Sequence, residues 1–435
     1  MSAYVHENLY VKSVFPSFWL KTLSIFEQAN THGRLSCTGF LDSKEAEEMQ
    51  FANVSNTEFS LYTVDEDKNV EFIFCGVLQE LSINQENGVW TAEVIAGSLT
   101  TLLDVFPRCR AFQDADMTYN TIMSLTFDER HTHYFNLDSG RTIEKPLFQY
   151  YETNWEFAKR LASHFNSPLY PSSSHRTPHF NIGAPPPGQA RELTCDDAFH
   201  ISISPEYHKL KQVGAYSVRD FASYTITSTV NYNLCEWVKC NSELLMVCEK
   251  SAVLKDGIIQ FSYKLGRPSL DHTIKAFNEK LRGISLHGRV VNTHKEFVEI
   301  ALDIDAAGKT YPYLWLPQTG NQFYCMPAVS SVASIHFQEA DEHSAIALDI
   351  VQEHGDNFPD ASFRQLTTEH RRNLLLHPSM TGVSSSNDSL ILDDASGIAF
   401  QSSSKTVIQA EGSISITAPR VTITAPNKVT ALKFS

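Results

Sequence analysis

Near its C-terminus the chain repeats at a spacing too short for any element that could be stable alone. Ile414-Ser-Ile-Thr-Ala-Pro419 is followed seven residues later by Val421-Thr-Ile-Thr-Ala-Pro426, and the apolar pairs Ile398/Phe400, Val407/Ile408 and Val429/Ala431 lie around them. Serine and threonine make up 17 of the 55 residues from 381 to 435, a proportion that by itself suggests disorder. The regular apolar beats argue otherwise. They read as strand, tight turn, strand, and rungs this short bury an apolar face only by stacking or winding against copies of themselves. In three identical chains the inward Ile and Val side chains would form a dry axis, with Ser and Thr facing water. The tail therefore predicts oligomerisation, with Ile398, Phe400, Ile414, Ile416, Val421 and Ile423 as its core.

Upstream the signal is also β. Leu20–Phe26 and Arg34–Leu41 flank the turn-like Asn30-Thr-His-Gly33, a short helix is expected from Ser43, and runs at 59–64, 70–78 and 89–95 follow. Such spacing suits a sandwich or barrel. One helix is sharply marked. Thr153 and Glu156 make a T-x-x-E capping box, after which Trp155, Ala158, Leu161, Ala162 and Phe165 recur on one face. From Pro168 to Gly188 six prolines predict a loop or linker. Strands resume over 199–265, including Ser223–Tyr232, and residues 283–350 read as a small closed barrel of five strands: Gly288-Arg-Val-Val, Phe297–Asp303, Tyr313-Leu-Trp-Leu, Val332–Phe337 and Ala345–Ile350.

Composition narrows the function. A length of 435 residues suggests two to four domains at roughly 150 residues each. With 50 acidic against 35 basic residues the formal charge is -15, so there is no cationic excess to neutralise a nucleic-acid backbone. The first residues lack a basic stretch followed by an apolar core, so no secretory leader is expected, and no run of about 18 apolar residues predicts a membrane span. The eight cysteines are scattered without a Cys-x-x-Cys pair, as expected of reduced, packed thiols made in the cytosol, and no structural zinc is expected.

Several chemical motifs can be tried, and each fails on a named residue. Gly283-Ile-Ser-Leu-His-Gly288 approaches a nucleophile elbow around Ser285, but His287 stands where the second glycine must permit the sharp turn. Asp303-Ile-Asp-Ala-Ala-Gly308 begins like a calcium loop, yet Ala307 lacks a ligand oxygen and Leu314 replaces the closing glutamate. His131-Thr-His133 has no obvious third metal ligand, and Cys235 and Cys240 form a lone pair. The aromatic run Tyr311-Pro-Tyr-Leu-Trp-Leu-Pro317 could be a sugar platform, although on a barrel strand such rings are more often core. No phosphate loop or dinucleotide fingerprint occurs. These residues predict a non-enzymatic chain with no catalytic, cofactor or metal residues.

At the marked helix the sequence acquires a resemblance. Gln149-Tyr-Tyr-Glu-Thr-Asn-Trp-Glu-Phe-Ala-Lys-Arg-Leu161 resembles the Q-Y-x-E-S/T-D-W/F-x-F-x-x-R-L signature of the VgrG and phage late control protein D family, the hub-spike proteins of contractile injection systems and contractile tails. Phe74-Cys-Gly-Val-Leu78, Leu99–Asp104 and Arg110-Ala-Phe-Gln113 are similar to its upstream blocks. Met326–Phe337 is similar to a strand of its OB-fold barrel, and the Ile-Thr-Ala-Pro rungs to the start of its β-helical spike. There are departures: Asn154 replaces the usual Asp, Ser330 or Ser331 the usual barrel Gly, and only Gly288-Arg-Val-Val remains of the family's G-R-V-K-V-x-F-P-W run.

The resemblance implies a mainly β (α+β) protein: phage-hub-like β-barrels with short helices, an OB-fold barrel, and a short trimeric β-helix or prism. Residues 1–165 would form the first part of the hub, 166–280 the second, 281–350 the OB-type barrel, 351–397 a linker or neck, and 398–435 the spike. Trp155, Phe157, Arg160 and Leu161 would be the structural residues of the hub helix and the trimer. A homotrimer would cap the inner tube and form an envelope-piercing spike, with inner-tube and baseplate proteins as partners and a PAAR-like tip protein or effector cargo below. It would be made in the bacterial cytoplasm and built into a tail or type VI secretion particle. The competing readings are a carbohydrate-binding tail adhesin using Trp315 and a tail-associated peptidoglycan hydrolase. The roughly 30 residues at 351–380 are too few for an inserted enzyme core.

Overall fold

The computed structural model describes residues 4–430 apart from 50–56, 66, 128–131, 189, 194–198, 206, 208–215, 241–242, 306–307, 317–324, 352–361, 363 and 369. The chain divides into two compact units, 1–351 and 352–435. Among the described residues no helix is long and apolar enough to cross a membrane.

The first unit is organised on a twelve-stranded sheet. From edge to edge its main path runs Leu9–Lys12, Glu58–Val64, Val70–Glu86, Val89–Ser98, Arg34–Leu41, Trp19–Gln28, Glu243–Lys255, Ile258–Gly266, Ala222–Ser228 and Phe199–Ile203. Two short strands, Arg191–Glu192 and Trp237–Cys240, pair beside this path. Trp19–Gln28 and Arg34–Leu41 alternate between a buried and a solvated face, whereas residues 73–78 within Val70–Glu86 are buried on both. In Trp19–Gln28 the alternation slips once, at a bulge between Leu20 and Thr22, which keeps Leu20, Leu23 and Ile25 all on the buried face. The halves of the sheet join where Ser24–Gln28 pair with Glu249–Val253. Leu35, Leu61, Phe74, Val94, Tyr232, Phe261 and Tyr263 share the core beneath.

Gly76 shows why one strand carries a glycine. It pairs with Ser98, and a Cβ there would run into the carbonyl oxygen of Gly97 and the Phe74 ring. An alanine in a strand ordinarily gains stability by restricting the unfolded chain. Here the sign should reverse: Gly76→Ala is expected to cost about 1–3 kcal/mol, read as a lowered urea midpoint.

The helices α1 (Ser43–Met49), α2 (Tyr119–Thr126) and α3 (Asn154–Ser163) accompany the sheet. The capping box at Thr153 and Glu156 is present, with both reciprocal hydrogen bonds made, and α3 begins where the sequence placed it. Its apolar face packs with Ile122, Met123, Leu147, Leu169 and Phe180 in a second core.

The proline-rich stretch differs from expectation. It contains two strands, Leu169–Ser172 and His179–Ile182, which pair antiparallel, and the second also pairs parallel with Thr132–Phe135. Pro171 is tolerated because Leu169–Ser172 is the edge strand of this small sheet, where a missing N–H costs little.

Residues 285–350 form the expected five-stranded barrel, in the order Tyr311–Leu314, Phe297–Leu302, Ser285–His294, Val332–His336 and Ile346–Ile350. A parallel bridge between Trp315 and Ala347 joins the ends, with Leu316 N–H donating to the Ala347 carbonyl at 2.9 Å. Val290, Val298, Ile300, Tyr313, Ala333 and Ile335 fill it.

The second unit is an antiparallel meander of Arg364–Thr367, Asn373–His377, Met380–Ser384, Ser389–Asp393 and Gly397–Gln401. Four of these strands lie in the stretch expected to be a linker or neck, a correction to that reading. The local pattern does not mark them, because each is only four or five residues long and their turns are closed by polar side chains. Asp393, for example, accepts backbone N–H bonds from Ala395 at 3.1 Å and Ser396 at 2.6 Å. Over the described residues 402–430 the repeat forms no strand in the single chain, and these residues are almost wholly exposed. A rung without a neighbour has no hydrogen-bonding partner to make it a strand.

Candidate functional site

The residues that matter most are those that build the unit and those that it leaves uncovered. Arg160 projects from α3 into the interior and is 5% exposed. Its Nε donates to Glu152 Oε1 at 2.8 Å and its Nη2 to Glu152 Oε2 at 2.8 Å. Its Nη1 donates to Glu342 Oε1 at 2.9 Å, and Nη2 also reaches the Phe148 carbonyl at 2.7 Å. Glu342, which precedes the last barrel strand, closes the loop by accepting the Phe148 N–H at 2.9 Å. One guanidinium thus ties α3, the strand Leu147–Glu152 and the barrel together through charge-assisted bonds. Burial pushes the Glu342 carboxyl up, opposed by the Arg160 charge. Burial works to lower Arg160, but Glu342 and Glu152 outweigh it and hold the guanidinium still more firmly charged.

The helix start is anchored by a second network. Thr153 donates its hydroxyl to Asp104. Asp104 Oδ2 lies 3.2 Å from His32 Nε2, whose Nδ1 is 2.9 Å from Thr100 Oγ1. The His32 ring also packs on Trp155 at 4.6 Å between centroids. The order Thr–His–Asp resembles a nucleophile relay, but Thr100 is fully buried and out of reach of a substrate. Burial works to raise Asp104, and the bonds from His32 and Thr153 overcome it to hold the carboxyl below its usual range. The arrangement fixes the Asn30–Gly33 turn and the helix cap. Sequence reasoning missed both networks, and the capping box was the only local sign of either.

Trp155, Phe157, Arg160 and Leu161 all lie inside their own chain's core, at 2%, 0%, 5% and 0% exposure. Buried this way they offer no surface to another copy, which corrects their assignment to a trimer contact. The tail residues are the reverse. Ile398, Phe400, Ile414, Ile416, Val421 and Ile423 are 51–75% exposed.

The weighed motifs scatter. Ser285 lies on a strand, 3.1 Å from His336 Nδ1, and not on a strained turn. His133 packs against the Phe127 and Phe180 rings. His131, Cys195, Ala307 and Ala431 lie outside the described residues. Cys235 and Cys240 are buried in different clusters, and burial pushes Cys235 up to about 12. Trp315 is 8% exposed and donates its indole N–H to the Cys325 carbonyl, while buried Tyr313 donates to Gln113. These two rings are core, not a platform. Among the described residues no three His, Cys, Asp or Glu side chains converge as a metal site.

No known protein family matches the sequence, and no curated protein does. Solved structures do match. The Escherichia coli c3393 protein, a type VI secretion component with structural similarity to the T4 bacteriophage tail proteins gp27 and gp5, aligns with a TM-score of 0.56 at 13% identity, over 79% of this chain and 99% of that one. A chain of the Francisella PdpA–VgrG complex, half-lidded, aligns with a TM-score of 0.57 at 9% identity, over 91% of this chain and 87% of that one. The lidless form of that complex gives 0.57 at 10% identity, over 88% and 93%. At such identities the likeness is one of fold: this chain shares its mainly β architecture with that type VI secretion component and with a chain of the Francisella PdpA–VgrG complex.

Proposed function

We propose that the chain is the hub-spike subunit of a contractile injection system or phage-like tail, assembling as a homotrimer that caps the inner tube and tapers into an envelope-piercing spike. One observation carries this reading: a hub-like first unit shares its chain with a tail whose isoleucines and valines have no cover within a single copy. Exposed apolar side chains recurring at fixed spacing are costly in water and gain stability only against partners. The barrel is read as OB-type from its strand order and parallel closure. Its work is transmission of force, with no bond chemistry. Inner-tube and baseplate proteins would be its partners, a PAAR-like tip protein or effector its distal load, and the particle assembled in the bacterial cytoplasm its location. The burial of Trp315 takes away the ring on which the adhesin reading rested. Sedimentation of the full chain at micromolar concentration tests the proposal. Three times the chain mass is expected, and a clean single-chain mass would overturn it.

A further inference from the structure

The hairpin of Leu169–Ser172 and His179–Ile182 carries two histidines that the functions above do not use. His175, in its loop, lies flat over His179, with ring centroids 3.8 Å apart and planes 12° from parallel. His179 is 7% exposed, and the edge of a ring pair with Tyr134 of Thr132–Phe135 holds it at 5.4 Å. His175 Nδ1 is 2.7 Å from Ser172 Oγ and its outer face meets solvent. The loop beneath them covers Cys75: Cys75 N–H donates to the Ser173 carbonyl at 2.5 Å, and its thiol lies 3.9 Å from the Ser174 carbonyl.

The charged groups around the stack do not welcome a second proton. Arg176, on the loop itself, lies over the Phe72 ring at 5.6 Å. Lys12 and Glu58, from the strands beyond Cys75, are paired with each other at 2.7 Å. Tyr134 contributes a ring, and Asn233 a neutral amide 3.4 Å from Ser174 Oγ. Among the described residues no carboxylate bonds to either imidazole. One proton on the stack can be shared with solvent through His175, whereas two place like charges face to face.

We propose that the His175–His179 stack is an acid-released clip, which holds the 169–182 hairpin over Cys75 while at most one ring is charged and lets the loop open when both are. Burial, with His175 adding to it, holds His179 down to about 4. In the open loop the ring would titrate near 6.5. The open form therefore binds more protons, so the closed form is fully favoured above about pH 6.5 and loses ground as pH falls towards 4. The clip is independent of the hub-spike reading.

Hydrogen exchange on the intact chain, corrected for intrinsic rates, tests it. Between pH 7.5 and 4.5, peptides covering 70–80 and 169–182 should lose protection by about 50-fold or more, while barrel peptides at 285–302 hold theirs. His179→Phe keeps a ring in place without a titrating group and should abolish the loss. His175→Gln, at an exposed position, should reduce it several-fold. Equal losses in wild type and His175→Gln, equal losses in wild type and His179→Phe, or full wild-type protection at pH 4.5, would each overturn the clip.

Discussion

Arg160→Ala is expected to cost the first unit about 3–5 kcal/mol, the largest single effect in the chain. The reason is what it leaves behind. Glu152 and Glu342, 6% and 4% exposed, would keep two carboxylates in the interior with no cation between them. The Phe148 carbonyl would lose its donor as well. Arg160→Lys should recover little, since an ammonium cannot hold Glu152 through two parallel bonds while also reaching Glu342 and Phe148. The combination Arg160→Met, Glu152→Gln, Glu342→Gln should restore most of the loss, because removing the charges together removes the desolvation penalty. Urea denaturation followed by tryptophan fluorescence checks all three. A loss below about 1 kcal/mol for Arg160→Ala would mean the network does not clasp barrel to helix.

The second large effect belongs to assembly. The double substitution Ile416→Asp with Ile423→Asp should convert a three-chain species to single chains while leaving the thermal transition of the first unit unchanged. Both side chains are 72% exposed in the single chain. If the tail remained in water, two such surface changes would alter stability by no more than about 0.5 kcal/mol each. If three chains wrap one another, each substitution brings three carboxylates to an apolar axis, where unpaired charge costs several kcal/mol per ion. Sedimentation velocity distinguishes the two results directly. An unchanged three-chain mass would remove the tail from the assembly surface.

How much of this was legible differs element by element. The α3 cap, the strands over 19–41 and 58–98 and the five barrel strands are local patterns, readable from residues two to four apart, whereas Arg108–Phe112, Thr132–Phe135 and Leu147–Glu152 are not. The hairpin at 169–182 was not, because proline density is a statement about local freedom, and only an edge position in a three-stranded sheet made Pro171 acceptable. The meander at 364–401 is not marked locally, because strands of four or five residues barely exceed a turn in length, and it is their cross-strand register that makes them a sheet. Arg160 was singled out from the sequence by its place in a motif, without any hint of its partners.

By itself, then, the amino-acid order determined the alternation that makes strands, the side chains that start the helix and the spacing that leaves the tail in need of neighbours. All of these arise between residues close along the chain, where sterics and capping act without help. Only the tertiary structure decided that Glu342 would answer Arg160 from 182 residues away, that Trp19–Gln28 would pair with Glu243–Lys255, and that two histidines would stack over Cys75. Such partnerships depend on which surfaces meet when the core closes, and the free energy that selects them is spread over the whole packed interior.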